Sequence, residues 1–373
     1  MVIDKRKPGL DAVRCLAILL VLVGHGSLLL PQEVISGAAR ARWLYAGGYF
    51  GVEIFFVLSG CLIVGLLLRQ LETSLAFGWA EMYAFWRRRW WRTLPNYFLF
   101  LGLNAILFSV WFGKSGGDWR YLVFAQNLAW PHPAFMPEAW SLAVEEWAYL
   151  LLPLALAAAV RLSGVSSRAL LTVLVGWVVA GGLARLGIAL AVEPAWDAGL
   201  RKIALLRLDA IAWGGLAAFA LHRHPAACAR WARVAGLAGA GGLLGCAAWL
   251  LFGVERRFAP VPLYAGLFSA TSLGVALCLP VAVAWRPAGG WLVSGLSWLS
   301  RVSYSTYLVH FSLVLPLMAL PGVAASVPLE LRLAGYIILS LGLAWGVYVL
   351  YELPILRWRD RTQRPAGRSS TPT

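Results

Sequence analysis

Stretches of about 20 mostly apolar residues, each long enough to cross a bilayer as a helix, recur along the whole of this 373-residue chain. They lie near 10–30, 48–68, 94–112, 139–160, 170–192, 203–222, 234–253, 261–285, 301–320 and 331–352. Hydrocarbon offers backbone N–H and C=O groups no partner but each other, so such stretches must be helical. The pattern predicts an all-α integral membrane protein, a bundle of about ten transmembrane helices. Hydrophobic residues make up 60% of the chain and charged residues only 13%, which excludes an ordinary soluble core.

A net charge of +15 would point to nucleic acid in a soluble protein. Here the basic residues cluster between apolar spans, so no nucleic-acid partner is expected and the clusters set orientation instead. Lys5, Arg6 and Lys7 precede the first span, and Arg87, Arg88, Arg89 and Arg92 follow the second. Arg223, Arg230 and Arg233 follow the sixth, and Arg357, Arg359 and Arg361 the tenth. The opposite loops carry scattered cations such as Arg120 and Arg332, so both termini are expected in the cytoplasm. No small-residue cleavage site follows the first apolar run, which is expected to be retained. Residues 1–356 form one transmembrane domain in this reading. Residues 357–373, with their Pro, Gly, Ser and Thr, form a disordered cytoplasmic tail. The five cysteines are odd in number and scattered, which supports neither a disulfide framework nor a metal site.

Ionisable residues inside spans are costly and mark function by default. Arg14 and His25 lie eleven residues apart in the first span, on one helical face and roughly 16 Å apart along the axis. A purely structural reading lets Arg14 snorkel to the interface and His25 hydrogen-bond within the bundle. Glu53 and Arg69 lie in the second span, and Glu145 and Glu146 at the entrance of the fourth. Arg207 and Asp209, in the sixth, read as an ion pair. His310 suits a structural hydrogen bond, and Glu352 a boundary position. So many polar groups across so many spans predict a polar cavity within the bundle. The pairs Gly47/Gly51 and Gly241/Gly245 allow close helix approach. Trp90, Trp91, Trp119 and Trp130 suit an interfacial aromatic belt. The cluster Arg87-Arg88-Arg89-Trp90-Trp91-Arg92 either fixes topology and contacts anionic lipid or grips phosphates, with Arg69 close enough to join it.

Seven blocks in order resemble the integral-membrane acyltransferase-3 family, the OafA/YrhL-like O-acyltransferases of bacteria. They are Leu10-Asp11…Arg14 with His25; Gly51-Val52-Glu53-Ile54-Phe55-Phe56-Val57-Leu58-Ser59-Gly60; Arg87-Arg88-Arg89…Arg92…Leu94-Pro95; Trp140-Ser141-Leu142-Ala143-Val144-Glu145-Glu146; Arg207-Leu208-Asp209-Ala210; Ser303-Tyr304-Ser305-Thr306-Tyr307-Leu308-Val309-His310; and Tyr351-Glu352-Leu353-Pro354. Glu53 departs from the family's usual Asp with charge kept, and Trp147 stands where many members have Gln or His. No extracellular SGNH hydrolase-like domain, such as some members carry, is expected. The bundle is therefore expected to complete the transfer or hand over to another protein.

The resemblance implies an O-acyltransferase of the bacterial cytoplasmic (inner) membrane. It would move an acyl group, most often acetyl, from cytoplasmic acyl-coenzyme A to a hydroxyl of an extracytoplasmic carbohydrate or glycolipid-linked saccharide. Acyl-CoA is then the donor substrate and no metal is needed. Polysaccharide-assembly proteins are the macromolecular partners such a role admits. On this reading His25 is general base or transient acyl carrier, and the sequence leaves both open. Arg14, Arg69, Arg87, Arg88, Arg89 and Arg92 are candidates for coenzyme A, with Arg14 also a catalytic candidate. Glu145 or Glu146 would orient the histidine. Glu53, Trp140 and Ser141 are candidates for the acceptor. A transporter of a glycan precursor or anionic small molecule is the alternative, but it should show two pseudo-symmetric halves, and no repeat is evident.

Overall fold

The computed structural model describes residues 7–31, 36–73, 78–113, 117–164, 167–192, 194–252 and 261–362. Ten helices in it are long and apolar enough to cross a membrane, as the periodic apolar runs predict. They are built on α1 (Pro8–Gly26), α2 (Gly37–Thr73), α3 (Trp79–Phe112), α4 (Ala139–Ser163), α5 (Ser167–Val192), α6 (Leu208–Arg223, extended by the turn that starts at Ala204), α7 (Pro225–Phe252), α8 (Val261–Ala284), α9 (Trp291–Val309, continuing to Ala319) and α12 (Leu329–Val347, continuing to Thr362). The short helices α10 (Leu315–Ala319) and α11 (Pro321–Ser326) link α9 to α12, and α13 (Leu353–Thr362) closes the described chain. Lys5 and Arg6, used above for orientation, lie outside the described residues, as does the expected tail beyond Thr362.

Helix ends follow local chemistry. Pro8 opens α1, where its missing N–H costs nothing. At the start of α3 the Glu81 carboxylate accepts from the Gly78 N–H at 2.9 Å. Gly113 ends that helix in the left-handed region, φ +62°. Two wide π-type turns, His310–Val314 and Tyr348–Glu352, interrupt the ninth and tenth spans. Both carry a buried polar side chain, His310 and Glu352, and such turns often mark functional positions.

Helix α2 runs through the middle of the bundle, against α1, α4, α6 and α8. Its contact with α1 depends on small residues. A Cβ on Gly47 would stand 2.6 Å from the Leu20 carbonyl oxygen, and one on Gly51 2.6 Å from that of Ala17. The Gly47/Gly51 pair therefore does what its spacing suggests. The pair Gly241/Gly245 does not, because nothing lies within 4 Å of a Cβ at either. Close approach of α7 to α8 uses Gly239 instead, whose Cβ would meet the Gly274 carbonyl at 2.5 Å. Exposed apolar side chains such as Leu183, Leu237 and Leu244 face outward, where hydrocarbon would cover them.

Three expectations need correction. Helix α3 begins at Trp79 rather than near residue 94, so the arginine cluster is wound into a helix instead of lying in a loop. Helix α13 extends to Thr362, so the first six residues of the expected tail, 357–362, are helical. Arg207 and Asp209 do not pair with each other, because residues two apart leave a helix in nearly opposite directions. Arg207 pairs with Glu53 of α2, which also accepts from Ser272 at 3.1 Å. Asp209 takes a fork of two 2.7 Å bonds from Arg185 of α5. Both pairs are fully buried and tie α2, α5, α6 and α8 together.

Gly51→Ala is expected to lower the apparent melting temperature in detergent by several degrees, because its Cβ collides with α1 backbone. Gly245→Ala, facing open space, should be neutral or slightly stabilising through helix propensity. Equal melting temperatures for the two variants would show that the α1–α2 contact tolerates separation.

Candidate active site

Arg14 and His25 hold one face of α1, and each opens into its own cavity. Arg14 donates to Ser300 Oγ at 3.0 Å, and Ser300 in turn donates to Asp11 Oδ1 at 2.6 Å, so α9 fixes the guanidinium from one side. On the other side is a cavity also lined by Ser59, Arg89, Arg92, Glu145, Tyr149 and Tyr304. Arg89 and Arg92, three apart, share a helix face. The Arg89 guanidinium stands 5.4 Å over the Tyr149 ring, and Tyr149 donates to Glu145 Oε2 at 2.6 Å. Three guanidiniums against one carboxylate make a wall suited to a polyanion.

The second cavity is lined by His25, Gly48, Glu138, Trp140, Asp197, Arg201, Lys202, Tyr307 and Phe311 among others. Here His25 Nδ1 meets His310 Nε2 at 2.9 Å. His310 Nδ1 faces two backbone carbonyls, Tyr307 O at 2.7 Å and Thr306 O at 3.2 Å. Carbonyl oxygens only accept, so His310 Nδ1 carries the ring proton. For two neutral rings His310 Nε2 is then the acceptor and His25 Nδ1 the donor. That leaves the lone pair of His25 on Nε2. This nitrogen lies beside Gly48, where even an added Cβ would stay 3.6 Å away. The Phe311 ring stands edge-on to His25, centroids 4.5 Å apart. His25 is thereby locked in one tautomer with its basic nitrogen on the cavity side.

Val52 and Tyr307 line both cavities, so the two meet at these side chains. The Tyr307 hydroxyl is bonded to Ser141 Oγ at 2.7 Å and donates to the Glu138 carbonyl at 3.2 Å. Glu138 lies just before α4. Burial raises its carboxyl to about 7, although Ser312 donates to it.

The structure brings together some of the residues singled out by sequence and separates others. Arg14, Arg89, Arg92, Ser141 and Glu145 share the first cavity, and His25 and Trp140 the second. Arg87 and Arg88 are exposed and line neither cavity, and Arg69 also lies outside both. Glu53 is committed to Arg207 and Ser272 and faces neither. Glu145 and Glu146 do not orient His25: Glu145 takes the Tyr149 hydroxyl, and Glu146 accepts from Thr93 at 2.8 Å. His310 orients it instead, a role that its reading as a structural hydrogen bond missed. Tyr307, Asp197, Arg201 and Lys202 escaped the sequence reading as site residues. Among the described residues no group of three His, Cys, Asp or Glu side chains is placed to hold a metal ion.

The acyltransferase-3 family profile, described as an acyltransferase domain, matches residues 7–352. The peptidoglycan O-acetyltransferase OatA of Listeria monocytogenes is 29% identical over 168 residues, 40% of this chain and 24% of its own length. The O-acetyltransferase OatA of Staphylococcus aureus is 31% identical over 165 residues, 39% of this chain and 24% of its own. The match thus spans about a quarter of the length of these relatives. No solved structure gives a significant match. A family profile that takes in the α1 arginine and histidine, the α3 arginines and the α9 histidine within one continuous match places the chain in the acyltransferase-3 family of membrane acyltransferases.

Proposed function

We propose that the chain transfers an acetyl group from acetyl-coenzyme A, held in the Arg14 cavity, to a saccharide hydroxyl presented in the His25 cavity. The observation that carries this reading is the meeting of the two cavities at Val52 and Tyr307, with the His25 Nε2 lone pair on the far side. About 16 Å of helix separates Arg14 from His25. A donor that keeps its phosphates on arginines while offering a thioester near His25 needs a long flexible arm, which pantetheine supplies. Arg14, Arg89 and Arg92 suit the phosphates, as charge-assisted donors to phosphate oxygens.

In the direct route the acceptor O–H proton passes to His25 Nε2 as the oxygen attacks the thioester carbonyl carbon. The C–S bond then breaks, the coenzyme thiolate leaves, and the His25 proton neutralises it. The hydrogen bond to His310 Nε2 stabilises the transient imidazolium by accepting from its Nδ1–H. In a two-step route His25 Nε2 itself attacks the thioester carbonyl, the C–S bond breaks and the coenzyme thiolate leaves. The alcohol oxygen then attacks the acetylimidazolium, its proton passes to the thiolate, and the N–acyl bond breaks to return neutral His25. The same locked tautomer serves both. The positive-inside pattern of the sequence supports a cytoplasmic opening for the Arg14 cavity, where acyl-CoA is made, with both termini on that side. The name of the Listeria relative, a peptidoglycan O-acetyltransferase, supports a cell-envelope glycan as the acceptor class.

The test uses purified full-length protein in nanodiscs, following coenzyme A release from acetyl-CoA in the presence of a glycan acceptor. His25→Ala is expected to lower kcat by about 10²–10⁴. His310→Ala should also lower kcat, because it frees the His25 tautomer. Arg89→Gln and Arg92→Gln should each raise KM for acetyl-CoA about tenfold or more, from a lost contact of about 1.5–3 kcal/mol. Arg88→Gln should leave that KM unchanged. Wild-type turnover by the His25 variant, or equal effects of Arg88 and Arg89, would refute the assignment.

A further inference from the structure

The His25 cavity carries cations that the acyl-transfer chemistry does not use. Arg201 and Lys202 follow one another at the end of a short turn between α5 and α6, and both line the cavity. Their backbone is pinned: Asn127 donates to the Lys202 carbonyl at 2.6 Å and accepts from the Ala204 N–H at 2.9 Å. The Arg201 guanidinium stands 4.8 Å over the Trp140 ring, which holds its plane.

One carboxylate serves both cations. Asp197 Oδ1 takes Arg201 Nη1 and Oδ2 takes Lys202 Nζ, each at 2.6 Å. Burial works to raise the Asp197 carboxyl, but the two cations outweigh it and hold it below the usual carboxylate range. Asp197 is therefore ionised, and the trio carries one net positive charge. The other titratable groups on the cavity are His25, neutral in its resting tautomer, Tyr307, whose hydroxyl is engaged by Ser141 and the Glu138 carbonyl, and Glu138, whose carboxyl is pushed up to about 7 by burial and already accepts from Ser312.

Arg201 is 7% exposed, and its Nε is buried with no acceptor among the described residues. Arg207 also keeps unpaired guanidinium nitrogens beside Glu53, but the Arg201 side chain lines the His25 cavity, where a ligand can reach it. A buried guanidinium N–H without a partner costs about 1–3 kcal/mol or more, unless a ligand supplies the oxygen. The fork geometry of guanidinium matches an oxyacid, and Lys202 adds a point charge with further N–H donors.

We infer that the acceptor saccharide carries an anionic oxyacid group, carboxylate or phosphate, which docks on Arg201 and Lys202 and so brings a neighbouring hydroxyl to His25 Nε2. This rests on the acyl-transfer reading for the identity of the occupant, and on the cavity alone for its charge. A uronic acid and a sugar phosphate, including one in a lipid-linked saccharide, share the chemistry.

The test is equilibrium titration of full-length protein in nanodiscs with three probes on one ring: methyl β-glucoside, methyl β-glucuronide and glucose 1-phosphate. At low salt the wild type should bind one or both charged probes about tenfold more tightly than the neutral one. The advantage should shrink as salt rises. Arg201→Gln and Lys202→Gln should each remove most of it. Preference for the glucuronide assigns a carboxylate, and preference for the phosphate assigns a phosphate. Should Arg201→Gln fail to yield monodisperse protein, Lys202→Gln, altering a partly exposed side chain, carries the test alone. Equal binding of the three probes, no binding of the charged ones, or an advantage unchanged by the folded variants would overturn the inference. Those results would leave His25-dependent coenzyme A release standing, whereas loss of that dependence would sink the acyl-transfer reading and leave the charge preference measurable.

Discussion

A helix crossing hydrocarbon bonds its own backbone N–H groups and leaves a charged side chain no water to pair with. A charge placed in such a helix must find its counter-charge on another helix or face a cavity. That requirement shapes this protein. Arg207 reaches across to Glu53, and Arg185 to Asp209, each pair fully buried. Removing one partner from such a pair typically costs about 3–5 kcal/mol, because the remaining charge is stranded. These two bonds hold α2, α5, α6 and α8 in fixed register, and α2 in turn sets where α1 lies through its glycine contacts. Arg14 and His25 are thus held by elements whose own charges are already spent.

The polar groups left over sort into two chambers of different character. One presents three arginines and a carboxylate engaged by a tyrosine. The other presents a histidine whose tautomer is fixed from behind by a second histidine, beside a cationic pair. Tyr307 belongs to both chambers and to the turn that sets His310, since its carbonyl accepts from His310 Nδ1 at 2.7 Å. Movement at this residue would therefore be felt by the donor wall, the acceptor wall and the basic nitrogen together.

The spans were legible because twenty consecutive apolar residues are a local property that water and lipid read in the same way. The Arg14–His25 face was legible because helical periodicity alone aligns residues eleven apart. Pairings were not. Arg207 and Asp209 look adjacent in sequence but diverge on a helix, and their true partners lie on α2 and α5. Arg185, embedded in Gly181-Gly182-Leu183-Ala184, gave no local sign of its carboxylate. The partner of His25 is 285 residues away, at the end of α9 where the π-type turn begins, and nothing local to either residue links the two. The adjacent carboxylates Glu145 and Glu146 offered a simpler candidate that the geometry does not use. Within the arginine cluster Arg89 and Arg92 line the Arg14 cavity and Arg87 and Arg88 do not, although Arg92 is exposed as they are. Periodicity cannot make that division, because Arg88 and Arg92, four apart, lie on nearly the same side of α3.

The central claim is that one molecule of donor bridges the two chambers. It is tested most directly by an experimental structure of the full chain in nanodiscs with a non-hydrolysable acetyl-coenzyme A analogue. The account predicts the coenzyme phosphates against Arg89 and Arg92, with the acyl end at Val52 and Tyr307 and its carbonyl carbon turned toward His25 Nε2. Phosphates seated on Arg201 and Lys202, or an acyl end pointing away from His25, would contradict it.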